Sequence, residues 1–328
     1  MSSQPKVLMP VPLHDAVIAA LEKEFDLIKL WQATDPDNLI AREGAEIRAL
    51  ATGVNVLSQG ISIPINADFM ARFPNLELIS HLGVGYDLID AAWAGAHNII
   101  VTNTPDVLTD ETADTALGLI LCTVRQLPQA DHYLRAGQWL KAPFPLTGTL
   151  KGKKIGIAGL GRIGKAIAHR LEAFGVEIAY FGRRHQNDVR YQFYDDLISM
   201  ARAVDILVIA TPGGAGTHHL VNADVLHALG PQGIVINIAR GSVIDETALI
   251  QALREKRILS AGLDVFAHEP HVPDELIALK HVVLFPHIGS ASHETRAAMG
   301  ALMVNNLRAW KKGERPLTPV AETPLANF

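Results

Sequence analysis

The chain has 328 residues, of which 48% are hydrophobic and 19% charged; this is the make-up of a globular protein long enough for two hydrophobic cores. A formal net charge of −5 excludes long-range attraction of nucleic acid or anionic lipid, so any anion must be bound locally. No apolar run approaches the ~18 residues of a membrane span, and Met1 to Pro10 carries no leader-like apolar region, so a cytoplasmic protein with neither nucleic-acid nor membrane partners is expected. Cys122 is the single cysteine, which excludes an intrachain disulfide framework and a cysteine-based metal site, and its apolar setting from Ala116 to Val124 reads as core.

In the first hundred residues, short apolar runs at 6–9, 26–30, 55–58, 76–81 and 99–102 alternate with helical patterns at 15–24 and 39–50. That alternation predicts a parallel sheet with crossover helices. Thr104-Pro105 breaks it, and a helical segment from Thr109 to Leu134 follows, too long for a simple crossover and read as a connector interrupted or kinked at Pro128. Six further apolar runs, at 154–158, 177–181, 205–210, 233–238, 261–265 and 282–285, match the strand count of a complete doubly wound dinucleotide fold. A last helix, His293 to Trp310, has no strand after it and is expected to pack back on the first domain, making that domain discontinuous.

The first strand of the second series runs into Gly159-Leu160-Gly161-Arg162-Ile163-Gly164, and Ile163, Ile167, Leu171 and Phe174 then form one apolar helix face before a stop at Gly175. In that context Gly159 allows the tight turn, Gly161 admits a pyrophosphate to the backbone, and Gly164 allows close helix packing. An NAD site places an acid about 20 residues on. Here the next strand ends Tyr180-Phe181-Gly182-Arg183-Arg184, with no acid until Asp188. Gly182 removes bulk and charge, and Arg183 and Arg184 stand where a 2′-phosphate would lie, which favours NADP(H) over NAD(H); a solvated basic turn on an NAD enzyme is the alternative. A second glycine-rich loop, Thr211-Pro212-Gly213-Gly214-Ala215-Gly216-Thr217, reads either as an approach of Thr211, Pro212 and Thr217 to the cofactor or as a flexible loop.

Arg240, Glu269 and His287 each lie just beyond the carboxyl end of an expected parallel strand, where open α/β sheets place their ligands. An imidazole there is suited to give a proton in reduction and take it in oxidation. Glu269 would accept its other ring N–H and favour the charged ring, while Arg240 would bind a substrate carboxylate and polarise the adjacent carbonyl. His218, His219, His268, His271 and His293 show no metal-ligand pairing, and no metal is expected.

Several segments closely resemble the D-isomer-specific 2-hydroxyacid dehydrogenase family: His81 to Asp90, Glu111 to Asp114, Gly159 to Gly164, Asn237 to Gly241, Gly262 to Phe266 and Pro286 to Ser290. The resemblance implies an α/β chain of two doubly wound parallel-sheet domains with a cleft between them. Residues 1–102, completed by the C-terminal helix 293–328, would be a flavodoxin-like substrate domain, and 103–292 the NADP-binding Rossmann domain. By the same resemblance Arg240, Glu269 and His287 are catalytic, and the backbone N–H groups of Val84 and Gly85 hold the substrate carboxylate. Asp264 would meet the nicotinamide amide; Thr112, Arg162, Ile163, Ile238, His287 and Gly289 would also touch the cofactor. The strand end at Gly182 to Arg184 and the stretch Gly137 to Gly148 look like the NADPH-using glyoxylate and hydroxypyruvate reductases of that family. The implied function is reduction of a small 2-keto acid to a D-2-hydroxy acid by a homodimer joined through the Thr109–Leu134 segment. A dinucleotide-sensing corepressor or scaffold of the same fold is the alternative.

Overall fold

Runs of Val, Ile and Leu closed by turn residues become the strands of two separate all-parallel sheets in the computed structural model, which describes residues 4–53 and 63–323. The chain divides into two compact units, Met1–Leu108 with Ser292–Phe328, and Thr109–Ala291.

The first unit runs β1 (Lys6–Met9), α1 (Asp15–Glu22), β2 (Asp26–Lys29), α2 (Pro36–Glu43), β3 (Ile47–Gly53), α3 (Ala67–Met70), β4 (Leu78–Leu82), α4 (Ala91–Ala96) and β5 (Ile100–Thr102). Its sheet order, β2-β1-β3-β4-β5, is the flavodoxin-like arrangement. Two expectations change here. The helix expected over 39–50 stops at Glu43, and Ile47–Gly53 is a strand, buried except at Arg48 and paired on both sides. Its Ile-Arg-Ala-Leu-Ala spacing suits a helix equally well, and only pairing at the sheet centre makes it β. The strand expected at 55–58 lies outside the described residues.

The second unit begins with α5 (Thr109–Arg125) and α6 (Leu127–Arg135), then β6 (Lys154–Ala158), α7 (Arg162–Glu172), β7 (Glu177–Phe181), β8 (Gln192–Tyr194), α8 (Leu197–Ala203), β9 (Ile206–Ile209) and α9 (Ala223–Leu229). It closes with β10 (Ile234–Asn237), α10 (Glu246–Arg254), β11 (Ser260–Leu263), α11 (Asp274–Ile277) and β12 (Val283–Leu284). The sheet order is β12-β11-β10-β9-β6-β7-β8, seven strands where six were expected. The missed one, β8, is a three-residue edge strand paired only with β7. The break in the long helix falls at Gln126, which has φ +50, and Pro128 sits harmlessly in the first turn of α6. Nor is α5 merely a connector, since Ala113, Ala116, Leu119 and Ile120 are buried with Ile155, Ile157 and Ile167 in this unit's core. Each fully buried Leu or Ile there contributes roughly 1.5–3 kcal/mol. Cys122, on the same helix, is only partly buried, and burial pushes its thiol pKa up.

The last helix, α12 (His293–Lys311), is capped by Ser292 and packs on β4 and α1 of the first unit. Ser80 donates to its Met303 carbonyl at 3.1 Å, and Trp310 Nε1 donates to Glu77 at 2.8 Å. Beyond it, Val320 N–H bonds to the Val101 carbonyl at 2.9 Å, covering the outer edge of β5. No described helix is long and apolar enough to cross a membrane.

Candidate active site

In the seven-stranded sheet the chain runs outward from β6 to β8, then returns to the other side of β6 as β9, so the reversal falls between β6 and β9. Gly159 lies at that point with φ +95, and its N–H donates to the Phe181 carbonyl at 2.9 Å. A Cβ there would stand 2.8 Å from both the Ala210 carbonyl oxygen and Thr211 N, so the two strand ends close only on glycine. Gly161 begins α7 and cannot cap it with a side chain; a Cβ on it would meet nothing within 4 Å, leaving open space before the helix's first-turn N–H groups. Gly164 packs against the Gly159 carbonyl, 2.2 Å from where its Cβ would be. Beside this turn the Thr211 hydroxyl is buried and has no hydrogen-bond partner among the described residues, so it suits a ligand oxygen. Thr217 differs: it donates to the Pro212 carbonyl at 2.7 Å, so its proton is used within its own loop.

At the end of β7, a Cβ on Gly182 would meet only the Arg184 carbonyl, at 4.0 Å. Arg183 and Arg184 are exposed and form no ion pair among the described residues, whereas Asp188 is paired with Lys165 at 2.6 Å. Sequence reasoning missed what holds this turn. The buried Tyr180 hydroxyl accepts from Gln186 N–H at 2.8 Å, and Gln186 Nε2 donates to the Leu160 carbonyl at 2.9 Å, tying the arginine turn to the glycine turn.

The other strand ends are built from charged and amide side chains. Asn237, fully buried, accepts from Ala239 N–H at 3.0 Å and donates to the Arg240 carbonyl at 2.9 Å, shaping the turn that presents Arg240. Arg240 donates from Nη1 to the Ala239 carbonyl at 2.8 Å. A Cβ on the next residue, Gly241, would lie 1.9 Å from the Phe266 carbonyl carbon, so that backbone and the Phe266–Glu269 loop are in direct contact. Glu269 accepts from Phe266 N–H at 2.9 Å through Oε1, and its Oε2 lies 2.7 Å from His287 Nδ1. Glu246 accepts from Ala267 N–H at 3.2 Å and steadies the same loop.

His287 has φ +53, an uncommon conformation for a residue with a side chain. The surrounding bonds impose it: Asp264, 1% exposed, accepts from Ile288 N–H at 2.7 Å and Gly289 N–H at 2.8 Å, one per oxygen. Thr112 borders Gly289, 3.6 Å from where its Cβ would be, and Thr115 donates to the Gly289 carbonyl at 3.4 Å.

Burial pushes the Glu269 carboxyl up, but the hydrogen bond and charge of His287, the Phe266 N–H and the Arg240 charge outweigh it, holding the group below 4.5. Burial dominates for Asp264 and raises its pKa despite the two backbone donors. An ionised Glu269 only accepts, so His287 Nδ1 donates, and Nε2 is the nitrogen left to exchange a proton with a substrate. Ile238 is buried in the core, so only its backbone is offered to a ligand, whereas Arg162 is exposed and Ile163 half-buried on α7. Val84 and Gly85 belong to the first unit, in the turn after β4.

Residues 117–289 match the family model described as D-isomer specific 2-hydroxyacid dehydrogenase, NAD binding domain. The chain is 45% identical over 314 residues to glyoxylate/hydroxypyruvate reductase A of Arabidopsis thaliana, covering 96% of this chain and 98% of that one. It is 42% identical over 314 residues to hydroxyphenylpyruvate reductase of Plectranthus scutellarioides, with the same coverage of 96% and 98%. Among solved structures, the NADPH-dependent glyoxylate/hydroxypyruvate reductase of Sinorhizobium meliloti in complex with NADP and malonate superposes with a TM-score of 0.89 at 45% identity, covering 98% of each chain.

Proposed function

The chain belongs to the D-isomer specific 2-hydroxyacid dehydrogenase family, and from that premise we propose that it reduces a small 2-keto acid of the glyoxylate and hydroxypyruvate kind with NADPH, giving a D-2-hydroxy acid. The observation that carries the reading is the 2.7 Å contact of Glu269 with His287 on a carboxylate that the Arg240 charge also reaches, all at carboxyl ends of parallel strands.

The residues present fit the cofactor. The open face at Gly161 and the first turn of α7 would take the pyrophosphate, and the partnerless Thr211 hydroxyl lies beside it. The bare Gly182 and the exposed Arg183 and Arg184 would take the 2′-phosphate. When bound, NADPH supplies a hydride to the keto carbon. The chain's own residues do the rest. The N–H groups of Val84 and Gly85 would receive a keto acid's carboxylate, and the charge of Arg240 would draw electron density onto a keto oxygen. His287 would give its Nε2 proton to that oxygen, while Glu269 keeps the ring oriented through Nδ1.

Residues 1–102 with 293–328 would form the substrate domain and 103–292 the NADP domain, in a homodimer in the cytoplasm. The corepressor or scaffold reading draws no support from relatives that are reductases over the whole length of this chain. The test compares kcat/KM for glyoxylate, hydroxypyruvate, pyruvate and phenylpyruvate with NADPH and with NADH. Highest values for the two small hydroxy- or unsubstituted keto acids with NADPH are expected; a preference for NADH, or no turnover of any of the four, overturns the reading.

A further inference from the structure

Three successive carbonyls after β4 are each held by a donor. Thr104 N–H donates to the Gly83 carbonyl at 2.9 Å, Asn103 Nδ2 to Val84 at 2.8 Å, and His81 Nε2 to Gly85 at 3.0 Å. The Gly83 N–H is fixed as well, donating to Thr104 Oγ1 at 3.0 Å. In a trans peptide the N–H points opposite to the carbonyl of the same plane. Holding the Gly83 and Val84 carbonyls therefore aims the N–H groups of Val84 and Gly85 the other way, and the His81 bond fixes the plane that follows. Successive N–H groups turned to one side make a small anion cradle.

His81 is the unusual member of this set. Asn103 and Thr104 lie on the segment that follows β5, whereas His81 is within β4 itself, opposite Thr52 of β3 and 2% exposed. A carbonyl accepts only, so Nε2 must carry hydrogen, and the ring reaches four residues forward to the turn.

We propose that His81 is a positioning residue for substrate: by holding the Gly85–Tyr86 peptide plane it fixes the C-terminal side of the turn, so that the Val84 and Gly85 amides, aimed by Thr104 and Asn103, stay in the orientation that receives the keto acid's carboxylate. The inference rests on the assignment of that turn made above. Without the His81 bond the turn samples other orientations, and apparent affinity falls in proportion to the fraction in the competent one. The loss then appears in KM, not in the rate once substrate is bound.

The experiment measures steady-state reduction of glyoxylate and hydroxypyruvate at saturating NADPH, NADPH affinity by fluorescence, and calorimetric binding of oxamate, an unreactive amide analogue of a 2-keto carboxylate, to the NADPH-loaded protein. A glutamine amide reaches the place of Nε2, while an asparagine amide reaches only that of Nδ1. His81→Ala and His81→Asn should raise KM and the oxamate Kd about tenfold, with kcat within about twofold and NADPH affinity unchanged, while His81→Gln stays near wild type. If His81→Ala folds poorly, the Asn and Gln variants carry the comparison. Unmoved KM in all three, or a Gln variant as impaired as the Asn variant, overturns the inference while wild-type turnover leaves the assigned activity standing. A wild-type protein that neither reduces these acids nor binds oxamate overturns both.

Discussion

The two ends of the seven-stranded sheet's ligand-facing edge are made in opposite ways. Around β6 and β7 the surface is defined by side chains that are missing: glycine at 159 lets two strands close, glycine at 161 leaves open space, and glycine at 182 clears room beside two exposed arginines. Around β10 to β12 it is defined by side chains that grip backbone: Asn237 on 239 and 240, Asp264 on 288 and 289, Glu269 on 266, Glu246 on 267. A surface defined by space selects what binds, whereas a cluster of mutually held charges fixes where a proton sits. Substitutions at the first end should therefore act on affinity, and at the second on rate and its pH dependence.

The largest expected effect breaks the second end. His287→Ala should lower keto-acid reduction by at least ~10²-fold, as for loss of a general acid. NADPH affinity, measured by fluorescence titration, should be unchanged; a matching loss of affinity would erase the contrast between the ends. Arg240→Lys keeps the charge but loses the planar two-donor grip, and kcat/KM should fall by roughly ten- to a hundredfold with NADPH binding intact.

The first end is tested by replacing Arg183 and Arg184 with alanine together. Both are exposed, so their charge-assisted bonds to a 2′-phosphate are discounted for solvent screening, and NADPH affinity should weaken by about tenfold. NADH affinity should hardly move. Equal losses with both cofactors would mean that the arginines support the fold of the turn and do not select the cofactor.

The smallest effect is in pH. Glu269→Gln removes the carboxylate that accepts from His287 Nδ1 and orients the ring, so kcat/KM for reduction should fall with NADPH affinity unchanged, and the acid dependence of stability should change with it. The carboxyl itself is held below the usual glutamate range, so the stability it contributes is present in full above the unfolded-state pKa and is lost as pH falls through the lower, folded-state one. Thermal unfolding between pH 3 and 6 should accordingly show a steeper acid loss in wild type than in Glu269→Gln. An acid loss equally steep in both proteins would mean that the Glu269 carboxylate is not held by its neighbours.

Periodicity and turn chemistry carried most of the architecture, and their failures have physical causes. At Ile47–Gly53 apolar residues fall on a helical spacing, and the strand is imposed by neighbours on both sides. Gln192–Tyr194 is too short for any pattern to emerge. Gln126 takes a left-handed conformation that a nearby proline obscured as the source of the helix break. At the site, Arg240, Glu269 and His287 stood out because each follows an apolar run and belongs to a legible segment. The grips of Asn237, Glu246 and Asp264, and those of Tyr180 and Gln186, were not legible as such, because a side chain bonding a distant backbone N–H or carbonyl leaves no periodic trace. A polar residue at the last buried position of a strand, as at Asn237, is the one signal that could have drawn attention to them.

The contact between Gly241 and Phe266 also bears on how such a protein diversifies. No side chain fits where a Cβ would lie 1.9 Å from a carbonyl carbon, so position 241 is closed to substitution, and Arg240 cannot drift without carrying the Glu269 loop along. The charge-bearing end thus behaves as a single inherited piece. Changes in which keto acid is accepted have to arise elsewhere, from residues that line the pocket without belonging to that piece, and a lineage can explore new substrates while the proton chemistry stays the same.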